Sequence, residues 1–368
     1  MCVLRGLFAS STFITFEKPS QYMKNAELNT RIAIGGRMSN SAQKNTSGEL
    51  NRRDFLQGMA AIGVLGSGAI AAAKSDPPIP IIDAHIHLFD ASRPQGAPYK
   101  GPKEFTGHIS LPAAYRKLAT PLGIKGAIAV EASSWVEDNL WLLETAQTDT
   151  IMVGVIGRLQ PEKPEFAEYL ERYHKNPLYR GIRINISARN HLMPQLDVSS
   201  VVDNLKLLAQ SDLVLETANP SIELLQTVVR VNDLVPELRI VIDHLPVMDP
   251  TPEEAPVYRS TLEQIRQRPN LFVKLSEILH RVDGNVAKDL ASHRERLDYL
   301  MQVFGEDRII FGSDYPNSVG TATIGEVVSL VKQYFATQPR SVAEKYFWKN
   351  SLRCYKWTKR ASQQPSIT

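Results

Sequence analysis

Cysteine is almost missing from this chain: two in 368 residues, Cys2 and Cys354, near opposite ends. A disulfide framework is therefore excluded as the source of stability, and Cys354 reads as a small buried residue of a helix. Membrane-length apolar runs are missing too. An apolar stretch at residues 58–73 falls short of the about 20 residues that a membrane span needs, and it is diluted by glycine and alanine. No glycine-rich phosphate loop follows the first strand candidate, which argues against an open nucleotide-binding sheet. Charge of either sign is not in excess: 42 Lys+Arg against 39 Asp+Glu, net +3. Eight of the basic and four of the acidic residues lie in 1–73, so the remainder holds 34 and 35 and a net charge of −1. The basic balance belongs to the N-terminal segment, and no nucleic-acid partner is implied.

That segment reads as an address. Asn51-Arg52-Arg53-Asp54-Phe55-Leu56-Gln57 carries the twin arginine of an export signal. The apolar stretch follows it, and Ala71-Ala72-Ala73 is a small-residue cleavage pattern. Residues 1–73 are thus expected to be an N-terminal extension and twin-arginine signal peptide. Residues 74–368 would be the mature domain, carried folded by the twin-arginine export machinery into a bacterial periplasm. An uncleaved anchor is the alternative. Met38, just upstream of the arginines, is a second candidate for the start of translation.

From Pro78 the chain alternates between two patterns. Short β-branched runs occupy 81–87, 126–132, 151–157, 181–186, 213–217, 238–244, 271–276 and 308–314. Amphipathic stretches at 136–148, 164–174, 201–210, 221–231, 255–268, 286–304 and 324–336 separate or follow them. Strands alternating with helices form parallel sheets, and eight such units predict a single-domain (β/α)8 TIM barrel. Residues 341–357 read as a C-terminal helix packed on it.

Side chains alternate between the two faces of a strand. The first run therefore turns Asp83, His85 and His87 toward the barrel axis, the fourth turns Arg183 and Asn185, and the seventh turns Lys274 and Ser276. Burying such groups is costly unless they are paired or used, and active sites in this fold lie at the C-terminal ends of the strands. His85 and His87, two apart on one strand, can share one ion or one substrate oxygen. Asp314 ends the eighth run, which neighbours the first in a closed barrel, so it can join them as a base for water or as a metal ligand. His244 ends the sixth run and can polarise a carbonyl. Arg183 suits a carboxylate, which its planar fork matches. Glu131, Ser133 and Ser134 after the second run, and Glu216 in the fifth, stand between site and solvated loop. His108, His174, His191, His280 and His293 read as surface or packing residues, His280 being the nearest to an exception.

Asp83-Ala84-His85-Ile86-His87, Arg180-Gly181-Ile182-Arg183, Ile242-Asp243-His244-Leu245, Val273-Lys274-Leu275-Ser276 and Gly312-Ser313-Asp314-Tyr315-Pro316 together resemble the amidohydrolase-related family of the amidohydrolase superfamily. The resemblance covers about residues 78–357 and is nearest the branch of sugar-acid and pyrone-dicarboxylate lactonases. It implies a hydrolase in which Asp314 handles the water proton and His244, His85 and His87 polarise the carbonyl. Arg183 and Arg180, with Ser134 and Lys274, would meet a carboxylated or hydroxylated small-molecule substrate. A divalent metal such as zinc on His85, His87 and Asp314 is one alternative, and no cofactor at all is the other. Two departures stand out: the fifth run carries Glu216 and no histidine, and Asn317 follows Tyr315-Pro316 where the family often has a histidine. A metal-dependent decarboxylase and a non-catalytic ligand-binding barrel are the rival readings, and self-association into a homo-oligomer is left open.

Overall fold

The computed structural model of the chain describes residues 76–184 and 192–367. The signal-like segment with its arginine pair, Met38, Cys2, Asn185 and His191 lie outside the described residues. The described part belongs to a compact unit spanning Lys74–Thr368.

Eight strands form one sheet in sequence order: Ile81–His87, Ile124–Val130, Met152–Gly157, Tyr179–Ile184, Val214–Thr217, Arg239–Ile242, Leu271–Leu275 and Ile309–Phe311. Every neighbouring pair is parallel. Beyond Phe311 the chain meets the first strand: Asp314 N donates to His85 O (2.9 Å) and His87 N to Tyr315 O (2.7 Å). These bonds close the sheet into the (β/α)8 TIM barrel that the alternation predicts. All eight strands fall inside or within two residues of the expected runs.

Helices return the chain along the outside. Ile324–Phe335 shows why they form: its apolar residues Val327, Val328, Val331, Tyr334 and Phe335 make one buried face. A capping box between Thr323 and Glu326 starts it, satisfying two otherwise orphaned N–H groups. The long connection after the first strand adds elements that carry no periodic signal: a two-stranded antiparallel ribbon, Phe89–Asp90 with Ile109–Ser110, and the helix Pro112–Ala119. Among the described residues no helix is long and apolar enough to cross a membrane.

Two apolar layers result. One lies between strands and helices. The other fills the axis: Ile82, Ala84, Val153, Val214, Val241, Phe272 and Ile310 meet Trp348, Cys354, Tyr355 and Trp357 of the C-terminal segment. That segment is helical as expected, but Lys345–Lys349 forms a π-turn between Arg340–Glu344 and Asn350–Tyr355. Cys354 is a free, buried thiol.

The first strand corrects one expectation. Its register shifts between Asp83 and Ile86, which breaks strict alternation. Asp83 does not join the axial group. It accepts the Tyr115 hydroxyl (2.7 Å) and the backbone N–H groups of His85 (3.1 Å) and Ser313 (2.9 Å). It pins the eighth strand to the first and takes no part in the open face.

Candidate active site

Ascending the barrel axis from the C-terminal segment, the apolar filling gives way to ions. Lys274 is fully buried, and its ammonium lies 2.8 Å from Glu216 Oε1, 3.2 Å from Asp243 Oδ1 and 3.1 Å from His85 Nδ1. The Tyr355 hydroxyl donates to the same Glu216 oxygen at 2.6 Å. Burial pushes the Glu216 carboxyl upward in pKa, against the pull of Lys274. A charge without exposure must be paired, and Lys274 is hydrogen-bonded to Glu216 and His85 with Asp243 Oδ1 3.2 Å away. Its ammonium is therefore engaged inside the protein, beneath the open face.

Above this layer His85, His87 and Asp314 converge. The two Nε2 atoms are 3.2 Å apart, and Asp314 Oδ1 lies 3.4 Å from His85 Nε2 and 3.2 Å from His87 Nε2. His244 packs its ring 4.5 Å from that of His85, and its Nδ1 is 2.9 Å from Ser276 Oγ. All four predicted catalytic side chains are thus together and buried.

Local backbone explains two of them. His244 (φ 55°) and Asp314 (φ 56°) stand two or three residues past the ends of their strands in the left-handed region, as does Glu277 (φ 53°) after the seventh strand. Each such turn costs of order 1–3 kcal/mol for a residue with a Cβ, and here it swings a side chain back over the axis. The runs drawn from sequence continued through His244 and Asp314 as strand, and Glu277 went unnoticed. Nothing in the hydrophobic pattern marks a left-handed turn.

Hydrogen bonds assign the ring protons. His87 Nδ1 faces the Val130 carbonyl at 3.0 Å. A carbonyl only accepts, so Nδ1 carries the proton and Nε2 presents a lone pair to the centre. Burial and the Arg183 charge lower the His87 pKa to about 4, keeping the ring neutral. Burial likewise holds His85 and His244 well below the usual histidine range. Asp314 moves the other way. Burial pushes it up to about 7, only partly offset by neighbouring Glu277 and Arg183. Glu277 is raised to about 8, by burial and then by the Asp314 charge. Asn317 Nδ2 donates to Asp314 Oδ1 at 3.3 Å, and Tyr99 in turn donates its hydroxyl to Asn317 Oδ1. Tyr99 and Glu277 are the residues sequence reasoning missed. Tyr99 sits in a long loop without period, and Glu277 one residue past the expected strand.

Arg183 faces the centre but is largely spent. Its Nε donates to Glu131 Oε1 (3.0 Å) and its Nη2 to Glu131 O (3.1 Å). Nη1 alone looks inward, 3.4 Å from His85 Nε2 and 3.7 Å from Asp243 Oδ2. Glu131 thereby belongs to the site. With Tyr99 it also lines an adjoining cleft together with Trp135, Trp141 and Arg158. Arg180 is elsewhere. Near the other end of the fourth strand it donates to Pro177 O and to Thr358 Oγ1 of the C-terminal segment (3.2 Å). Ser134 is exposed in a separate cleft with Lys163 and Tyr169. Neither reaches the convergent group. His108, His174 and His293 also lie away from it, and His280 turns its Nδ1 to the carbonyls of Glu277 and Ile278.

Among the described residues, two sets of side chains offer atoms close enough to hold a metal: His85, His244 and Asp314, and His85, Glu216 and Asp243, each within 4.8 Å. The second set surrounds the Lys274 ammonium.

Residues 82–357 match the amidohydrolase family. The chain is similar to an L-fucono-1,5-lactonase of Burkholderia multivorans (strain ATCC 17616 / 249), 25% identical over 291 residues, covering 74% of this chain and 95% of that protein. Among solved structures it is similar to an amidohydrolase from Burkholderia multivorans with bound zinc (TM-score 0.64, 22% identity, covering 76% of this chain and 100% of that one). A putative 2-pyrone-4,6-dicarboxylic acid hydrolase from Pseudomonas putida is a further likeness (TM-score 0.60, 21% identity, 76% and 98% covered). At these identities the structural likenesses speak for the shared barrel.

Proposed function

The chain belongs to the amidohydrolase family, a hydrolase by that membership, and from this premise we propose that it opens a neutral, hydroxylated lactone. The observation that carries the reading is Asp314: a buried carboxylate raised to about 7, within 3.4 Å of two neutral histidines. A general base works best with a pKa near the working pH. Asp314 takes the water proton, and the hydroxide attacks the lactone carbonyl carbon. The oxygen that gains charge is met by His244 and by Arg183 Nη1, donors fixed before the reaction begins. The ring C–O bond then breaks, and Asp314 returns the proton to the leaving alkoxide.

The preference for a neutral substrate rests on charge. Two nitrogens of Arg183 are committed to Glu131, and the ammonium of Lys274 lies against Glu216, Asp243 and His85. With Asp314 and Glu131 facing the same space, neither of these two cations, among the described residues, is free to hold a second carboxylate. Hydroxyl groups suit Glu131 and the Tyr99 hydroxyl in the adjoining cleft. The relative named for L-fucono-1,5-lactone supports the same class.

Proton release from a panel of neutral sugar lactones and carboxylated lactones, with wild type and Asp314→Asn, tests this. Acid release from the neutral set, absent in the variant, supports it. Carbon dioxide release from an aromatic acid without lactone turnover would replace it with the decarboxylase reading. The export reading remains a proposal as well. Arg52-Arg53 followed by Phe55-Leu56 supports delivery to the periplasm, and a double change to lysine is expected to leave the protein in the cytoplasmic fraction.

A further inference from the structure

Three donor atoms at the centre have a spacing that a metal would accept. His85 Nε2, His87 Nε2 and Asp314 Oδ1 are 3.2–3.4 Å from one another. Four ligands at about 2.0–2.1 Å around a tetrahedral zinc stand at nearly this separation. The protons decide differently. Cations without an acceptor face both ring nitrogens, Lys274 at 3.1 Å from His85 Nδ1 and Arg183 Nη1 at 3.4 Å from Nε2, and the shorter contact makes Nδ1 the acceptor. The single ring proton of neutral His85 then sits on Nε2. It points at the His87 Nε2 lone pair and at Asp314 Oδ1. A protonated nitrogen ligates nothing.

The same ammonium fills the second candidate set. Glu216, Asp243 and His85 are the three groups that hold it, at 2.8, 3.2 and 3.1 Å. A second cation approaches from the other side of the ring, Arg183 Nη1 at 3.4 Å from His85 Nε2. An ion bound to that nitrogen would lie against this guanidinium.

We propose that Lys274 is a built-in cation that keeps divalent metal out of this barrel. It occupies the inner set of ligands directly. It closes the outer set by fixing the His85 proton on Nε2. Glu216 of the fifth strand belongs to the same device, because its carboxylate completes the anchorage of the ammonium. This proposal concerns metal alone and stands whatever the substrate is.

Zinc bound after equilibrium dialysis of the full-length protein against zinc chloride tests it, counted as the amount lost in His85→Asn. Wild type is expected to hold none beyond that control. Lys274→Met, which leaves Glu216, Asp243 and an unblocked His85, is expected to gain about one ion per chain with an affinity roughly 10–100-fold above wild type. Stoichiometric wild-type zinc that disappears in His85→Asn would overturn the proposal, and so would a folded Lys274→Met that gains none. Should Lys274→Met fail to fold in both the presence and absence of zinc, the wild-type ring decides. In the ¹⁵N spectrum of histidine-labelled protein, His85 is expected to be protonated on Nε2 and unmoved by one equivalent of zinc. A proton on Nδ1, or zinc-dependent shifts of that ring, would contradict the account.

Discussion

The two ends of this barrel are made by the same eight strands and hold opposite chemistry. At the end covered by the C-terminal segment, axial positions are Ile82, Val153, Val214, Val241, Phe272 and Ile310, sealed by Tyr355 and Trp357. At the other end they are His85, His87, Arg183, His244 and Asp314, three of the rim residues (His244, Glu277, Asp314) held on left-handed backbone. Between them lies one ionic layer, Lys274 with Glu216 and Asp243. The difference teaches where stability and reactivity are separated. Residues below the layer are satisfied by packing, and residues above it are held in strained, desolvated states that packing alone would not choose.

Substitutions that cross this division should give separable effects. The largest is Asp314→Asn, which keeps the shape and removes the proposed base. Turnover is expected to fall about 10²–10⁴-fold with the melting temperature unchanged or raised, measured by proton release and calorimetry. Glu216→Gln, in the layer itself, leaves the Lys274 ammonium short of a partner. It is expected to cost about 3–5 kcal/mol in urea unfolding, the usual penalty for breaking a buried ion pair from one side, with a smaller change in turnover. Tyr355→Phe removes only the hydroxyl on Glu216 Oε1. A loss of about 1.5–3 kcal/mol of stability is expected, as for a hydrogen bond to a charged group, with kcat intact. The smallest effect is reserved for Arg180→Met, at the covered end, where kcat/KM should stay within about twofold while Arg183→Met loses about 10²-fold or more. Equal losses from the two arginines would erase the distinction between the ends.

The fold was legible because helix and strand periods differ and because eight repeats leave few architectures. The four positions of the candidate site were legible because three expected runs ended in histidine or aspartate. What alternation could not show is where a strand departs from it. The register shift between Asp83 and Ile86 sends Asp83 to Tyr115 instead of the axis. Left-handed turns carry His244 and Asp314 past the ends of their strands, and the same kind of turn brings Glu277 over the centre. Arg183 read as a free fork because its partner, Glu131, ends a different strand 52 residues away. Lys274 read as a substrate contact for the same reason: Glu216 and Asp243 belong to two other strands. Pairing across strands decides whether an inward charge is available, and a single strand does not contain that information.

Protonation links the two ends to pH. The folded chain holds the Asp314 proton to about 7 and that of Glu277 to about 8, against ordinary values of 3.8 and 4.5. The native state therefore binds more protons than the unfolded chain across that window, so stability falls as pH rises through it. Glu277→Gln should flatten the decline in urea unfolding between about pH 5 and 8.

The most direct measurement is kcat/KM against pH on a neutral lactone. With Asp314 as the base, activity requires its ionised form, so it is predicted to rise as pH increases and to reach half of its plateau near pH 7. A profile already at its plateau by pH 5, where an ordinary carboxylate would be fully ionised, would contradict the assignment of Asp314 as the buried base of this site.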